Sequence, residues 1–309
     1  MPHNYIEQIK AILNTTGLSQ VELAKRLGIT FAALNRWINK HSIPRAIAQK
    51  NIYALYKETV GVLPLSKETI KSLLCSLDKE KKKHLNVKKI IRDNRSFRDD
   101  LLLELTHNSN AIEGSTLTKK ETESIIFDKA QIKDKSYVEH LEATNHAAAL
   151  EAIFEGDFTG SITEAKIKEL HRILLQGIRP DAGKYSKHHR AIRGVELTLP
   201  APEDLPEEMQ RFLRKINIVK GKIVAHIAAL HADFEAIHPF GDGNGRVGRL
   251  IMIIQLLNAG YAPCVIENKR KAEYYEVLEL AQRQSESHLI KFVIESILRG
   301  YQIIKRHKK

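Results

Sequence analysis

The chain has 309 residues, 28% of them charged and only 6% aromatic, which indicates a mostly helical protein long enough for two domains. Its apolar runs fall far short of the roughly 20 residues that span a bilayer. Its first ten residues lack a signal-peptide pattern, and two cysteines, Cys75 and Cys264, are too few for a disulfide framework or zinc cluster.

A cytoplasmic protein without a membrane partner is therefore expected, although an exported effector acting in a host would fit the same composition. The net charge of +12 is unevenly placed. Residues 1–98 carry 19 Lys/Arg against 7 Asp/Glu, and residues 99–309 carry 30 of each. The first part is expected to meet a polyanion.

Apolar positions 5, 6, 9, 12 and 13 give a first helix over 4–15. Ser19 with Glu22 three residues on predicts a capping box for a second helix, which stops at Gly28. Thr30 caps a third carrying Phe31, Leu34, Trp37 and Ile38. Ala24, Gly28 and Leu34 have the spacing of a helix-turn-helix. Residues 1–58 resemble a small Cro/phage-repressor-type DNA-binding domain. That resemblance implies a recognition helix over 30–40, with Thr30, Asn35, Arg36 and Lys40 facing double-stranded DNA and Lys25, Arg26, Arg45 and Lys50 on phosphates. A small bundle used for protein contact is the alternative.

Pro64 breaks the pattern, and a helix is expected from Ser66 to Leu77. Residues 59–98 are expected to form a basic helical linker, rich in lysine from 79 onward and offering a second phosphate-contacting surface. Residues 99–309 are expected to form the second domain.

In that domain a leucine-rich helix runs into Ser109-Asn110-Ala111-Ile112-Glu113-Gly114, ending at a glycine C-cap. Thr118 with Glu121 predicts another capping box. Tyr137 to Phe154 is a long helix with an alanine face, and Thr163 begins the next. Gly183 to Pro206 is the main non-helical stretch, and Ala191-Ile192-Arg193-Gly194-Val195 followed by Leu197-Thr198-Leu199-Pro200 suggests a small β-hairpin turning at Arg193-Gly194. Helices are expected again over 206–215 and 219–236.

Then comes His238-Pro-Phe-Gly-Asp-Gly-Asn-Gly-Arg-Val-Gly-Arg249, followed by a buried apolar helix. Glycines 241, 243 and 245 permit a tight turn with exposed N–H groups, and a helix N-terminus after such a loop favours anions. Arg246 and Arg249, three apart, share a helix face. Asp242 suits a magnesium ion, and His238 can take a proton from a hydroxyl. No Walker sequence or dinucleotide fingerprint is present.

This loop resembles, at every defined position, the signature of the Fic family. The resemblance implies an all-α core with a small β-hairpin flap, and transfer of AMP from ATP to a Ser, Thr or Tyr hydroxyl of a protein target. It implies His238 as general base, Asp242 as the Mg²⁺ ligand, Gly243, Asn244 and Gly245 as anion hole, and Arg246 and Arg249 as phosphate grips. The flap at Ala191, Ile192, Arg193 and Gly194 would lie over the nucleotide and the target backbone. Tyr275, in a Tyr-Tyr segment, would frame the adenine.

Ser109 to Gly114 resembles the family's inhibitory motif, which implies that Glu113 pairs with Arg249 and blocks productive ATP binding. Dimerisation is common in the family and is expected here. Phosphoryl transfer, removal of AMP through Glu113, and a transcription regulator with a nucleotide-sensing domain stay open beside AMP transfer. Gly245 stands where the phosphotransferase branch carries Lys, and so favours AMP transfer.

Overall fold

The structure, a computed structural model, describes residues 5–62, 64–191, 198–218, 222–283 and 285–307. The chain divides into two compact units, Met1–Pro64 and Leu65–Lys309. Every regular element among the described residues is helical.

The smaller unit holds α1 (Tyr5–Thr16), α2 (Gln20–Arg26), α3 (Phe31–Ile38) and α4 (Ala46–Thr59). Both sides of the predicted Ser19–Glu22 capping box are present. Gly28 takes a positive φ of 68° between α2 and α3, a conformation that favours glycine. Ile9, Ile12, Leu23, Ala24, Leu34 and Ile52 form the centre of its core. Val21 and Phe31 project into solvent instead.

The larger unit holds α5 (Lys67–Lys83), α6 (Val87–Asp93), α7 (Arg95–Glu113), α8 (Lys119–Asp128), α9 (Tyr137–Glu155), α10 (Glu164–Leu175), α11 (Leu205–Ile216), α12 (Ile223–Ile237), α13 (Asn244–Asn258), α14 (Lys271–Arg283) and α15 (Ser287–Arg306). α13 is central: Val247, Leu250, Met252 and Leu256 are completely enclosed. α12, α10 and α7 pack around it. The predicted Thr118–Glu121 box caps α8. A Ser136–Glu139 box caps α9 as well.

The expected linker over 59–98 needs correction. Residues 67–93 fold as α5 and α6, and Leu74, Leu77, Val87 and Ile91 join the larger unit's core. Lysines dominate this stretch in composition, but its apolar residues recur at helical spacing and bury one face. Lys81 even donates to the Ala259 carbonyl at 2.7 Å, and Glu80 pairs with Lys83 and Lys305. The stretch from Gly183 to Ala191 is non-helical as expected. Residues 192–197 of the expected hairpin lie outside the described residues, and Ala191 and residues 198–200 are in no strand.

Candidate active site

α12 ends on His238, which caps it with φ 48° and ψ 57°. A non-glycine residue held in the left-handed region needs support from its surroundings. The loop that follows is tied down at several points. Asn244 holds it internally: its Nδ2 donates to the Phe240 carbonyl (2.8 Å) and its Oδ1 accepts from the Phe240 N–H (2.9 Å). The Ser186 N–H donates to the Pro239 carbonyl at 2.9 Å.

His171, on α10, clamps the loop from below. Its Nδ1 accepts from the Gly183 N–H at 2.8 Å, so the proton sits on Nε2, which donates to the Asp242 carbonyl at 3.1 Å. Burial lowers His171 to about 4 and keeps it neutral. Its ring stacks on Phe240 with 3.8 Å between centroids.

Gly243, at φ 75°, is the N-cap of α13. The first-turn N–H groups of Asn244, Gly245 and Arg246 have no acceptor one turn earlier in the helix and form an anion-ready end. Gly245 leaves no room for a side chain: an added Cβ would overlap Glu113 Oε1 and lie 3.0 Å from Arg249 Nη1.

Arg249 is buried and gripped from α7. Its Nε donates to Ser109 Oγ and its Nη2 to the Ser109 carbonyl, both at 3.0 Å. The same Nη2 donates to Glu113 Oε1 at 2.7 Å. Burial acts to lower the guanidinium pKa, but Glu113 beside it holds it above its usual value. Arg246 is buried too, and its Nη1 donates to Glu142 Oε1 at 2.7 Å.

His238 is partly buried, and its Nδ1 lies 3.3 Å from the Glu235 carbonyl. A carbonyl only accepts, so Nδ1 carries the proton and Nε2 keeps its lone pair. Burial lowers the His238 pKa below the usual imidazole value. A cavity of about 100 Å³ opens beside it, lined by Glu113, Arg249, Tyr274, Tyr275, Leu278 and Gln282.

Residues 161–256 match the Fic/DOC family, and residues 9–49 match a helix-turn-helix family. This chain carries a Fic domain and an N-terminal helix-turn-helix. It is 32% identical over 205 residues to Protein adenylyltransferase Fic of Drosophila sechellia, covering 65% of this chain and 42% of that protein. The chain thus spans about two fifths of that relative's length.

Among solved structures it is similar to a Fic-domain-containing signalling protein from Bacteroides thetaiotaomicron. The match has TM-score 0.64 and 26% identity, and covers 77% of this chain and 99% of that one. It also shares its fold with a fragment of Fic-1 from C. elegans, with TM-score 0.69 and 21% identity, covering 97% of this chain and 91% of that one.

The Fic loop brings together most of the residues singled out from sequence. His238, Asp242, Gly243, Asn244, Gly245, Arg246 and Arg249 lie on one loop and helix start, and Ser109, Glu113 and Tyr275 converge on it from α7 and α14. Ala191 is exposed, and Ile192, Arg193 and Gly194 lie outside the described residues.

In the helix-turn-helix, Thr30 Oγ1 accepts from the Ala33 N–H as the N-cap of α3, so its hydroxyl is already engaged. Asn35 Oδ1 accepts from Asn39 at 3.0 Å, while Arg36 and Lys40 are exposed.

Three site residues escaped the sequence reading. Glu142 is remote in sequence from any motif and carries no signal of its own. Arg190 is near enough to lower the His238 pKa. Glu235 was findable, because a residue three before His238 on one helix shares its face. It is fully enclosed, its Oε1 lacks a partner among the described residues, and burial raises its pKa to about 8.

Proposed function

We propose that this protein is an autoinhibited protein adenylyltransferase, moving AMP from ATP onto a Ser, Thr or Tyr hydroxyl of a protein. The observation that carries this reading is the Glu113–Arg249 ion pair beside the anion-ready start of α13. His238 Nε2 is unprotonated at neutral pH and serves as base toward the target hydroxyl, whose oxygen attacks the α-phosphate as pyrophosphate leaves. The N–H groups of the first turn of α13 receive the phosphate oxygens. Arg246 and Arg249 hold the leaving phosphates, Arg249 doing so only when Glu113 has moved away. Tyr275, 37% exposed on the cavity wall, frames the base.

Asp242 is the residue that would hold Mg²⁺. Its side chain is half exposed, with Oδ1 accepting from the Gly243 N–H at 2.6 Å, so Oδ2 is the oxygen available to a cation. One carboxylate beside a phosphate site fits magnesium, which takes its other ligands from phosphate and water. The ion would neutralise charge on the phosphates.

The helix-turn-helix unit favours a second element: tethering to double-stranded DNA through residues 1–98, as a homodimer in the cytoplasm. Its targets would then be DNA-associated proteins or the chain itself. A transcription regulator whose Fic domain senses nucleotide is the competing reading.

The deciding experiment is labelling with α-³²P-ATP and Mg²⁺. Strong labelling by Glu113→Gly, weak labelling by wild type and none by His238→Ala supports the transferase. No label in any variant, with DNA binding intact, favours the regulator.

A further inference from the structure

Both arginines of the Fic loop are paired with carboxylates, but the two carboxylates stand in different mechanical settings. Glu113 is the last residue of α7, followed by Gly114 in the left-handed region, and its side chain is 30% exposed. The turn behind it is buried at Ile112, so it is the partly exposed carboxylate that can swing toward solvent by side-chain rotation.

Glu142 sits in the interior of the 19-residue α9. That helix is fastened on two sides. Asn145 Nδ2 donates to the carbonyls of Leu174 (3.1 Å) and Gln176 (2.8 Å), and the Glu142 carbonyl itself accepts from Asn110 Nδ2 at 3.0 Å. Ala143, His146 and Ala147 are buried beside it. The backbone that carries Glu142 cannot shift away from Arg246 without moving a core helix, and its side chain is less exposed (18%) than that of Glu113 (30%).

Arg246 needs a partner of this kind. It is only 3% exposed, and its Nε has no acceptor among the described residues. An uncompensated buried guanidinium is costly. Nη1 goes to Glu142 at 2.7 Å, and Nη2 lies 3.5 Å from Asp242 Oδ1. Carboxylates at two of its nitrogens restrict the fork and still leave Nε and part of Nη2 without a close acceptor.

We propose that Glu142 is a positioning residue: it aims the Arg246 guanidinium at the leaving phosphates of the nucleotide and stays paired throughout turnover, while Glu113 is the carboxylate that departs. The proposal rests on the adenylyl-transfer reading above. Glu142 and Glu113 therefore act in opposite directions, although each forms an ion pair with a loop arginine.

The test uses the full chain carrying Glu113→Gly, alone and with Glu142→Ala or Glu142→Gln. Rates of AMP transfer at varied ATP, calorimetric binding of ATP and of AMP, and thermal melting are measured on each. Glu142→Ala is expected to lower kcat/KM by about 10–100-fold, the effect of a misplaced charge-binding group. It should weaken ATP binding and leave AMP binding unchanged, because AMP lacks the phosphates that Arg246 meets. Glu142→Gln retains an acceptor and should recover most of the loss.

Unchanged transfer in both variants overturns the proposal, as does equal loss of ATP and AMP binding, which marks a merely structural role. Labelling released by Glu142→Ala in the otherwise wild-type chain also overturns it, because Glu142 would then be a second brake. If the Glu113→Gly parent itself neither binds ATP nor transfers AMP, the transferase reading fails before Glu142 is touched, and the proposal falls with it.

Discussion

Glu113 Oε1 lies 2.7 Å from Arg249 Nη2 across a sequence separation of 136 residues. The same guanidinium is held by the hydroxyl and the carbonyl of Ser109, one helical turn earlier on α7. A single face of α7 thus grips a single side chain of the loop helix. Loosening either contact should weaken the hold on Arg249.

Ser109→Ala removes the acceptor of the buried Arg249 Nε and should cost about 1.5–3 kcal/mol of stability, the usual range for a hydrogen bond to a charged group. It should raise basal AMP transfer, but less than Glu113→Gly, because the ion pair remains. Chemical denaturation and α-³²P-ATP labelling on the same preparations check both halves.

Gly245→Ala is a second route to the same end. The added methyl overlaps Glu113 Oε1, the far end of a flexible and partly exposed side chain, so Glu113 is the group that yields. The Gly245 N–H survives the change. Labelling should rise above wild type, and a fall below wild type would show that the methyl obstructs the phosphate site instead.

The pH profile of transfer by Glu113→Gly should report His238. Burial lowers its pKa, so the unprotonated base persists below the ordinary imidazole value of 6.5. Activity should fall only as pH drops through that lowered value. An acid limb centred above 6.5 would show that His238 is not the group titrating.

Stability should depend on pH in two opposed ways. His146 and His231 are buried, and burial lowers each to about 3. Their contribution is complete above 6.5 and is lost as pH falls toward 3. Glu235 is raised from 4.5 to about 8 by burial, so its contribution is complete below 4.5 and is lost as pH rises through 8. Denaturation midpoints should decline on the acid side of about 6.5 and again toward pH 8, and Glu235→Gln should remove the alkaline decline alone.

The DNA tether predicts salt-dependent binding. Lys25 and Arg45 are exposed on the smaller unit. If they meet phosphates, each alanine variant should reduce the slope of log affinity against log salt by about one. Binding by residues 1–98 no stronger than that of a neutral control would remove the tether. Because residues 65–98 pack in the larger unit, the full chain is the sounder reagent for the comparison.

Local chemistry was readable from the sequence because it depends on near neighbours. The Ser19–Glu22 and Thr118–Glu121 boxes, the turn at Gly28 and the glycine cap at 114 each follow from residues within four positions. The loop from His238 to Arg249 is equally local, so its residues could be named before any fold was known. What the sequence misjudged was the stretch from 79 to 98. Its lysines suggested a solvated linker, yet long cationic side chains lie along a helix whose other face is buried.

Tertiary structure alone decided which carboxylate meets Arg246. Glu142 is 104 residues from Arg246, and nothing in its neighbourhood marks it as that arginine's partner. His171 became the support for Asp242 only because α10 passes beneath the loop. Ion pairs and shared protons act over a few ångströms of space, whereas periodicity and capping act over a few residues of chain. The sequence determined the helices, the loop and the motif that carries Glu113, and the packing of α9 and α10 around α13 determined the partners of Arg246 and of the Asp242 carbonyl.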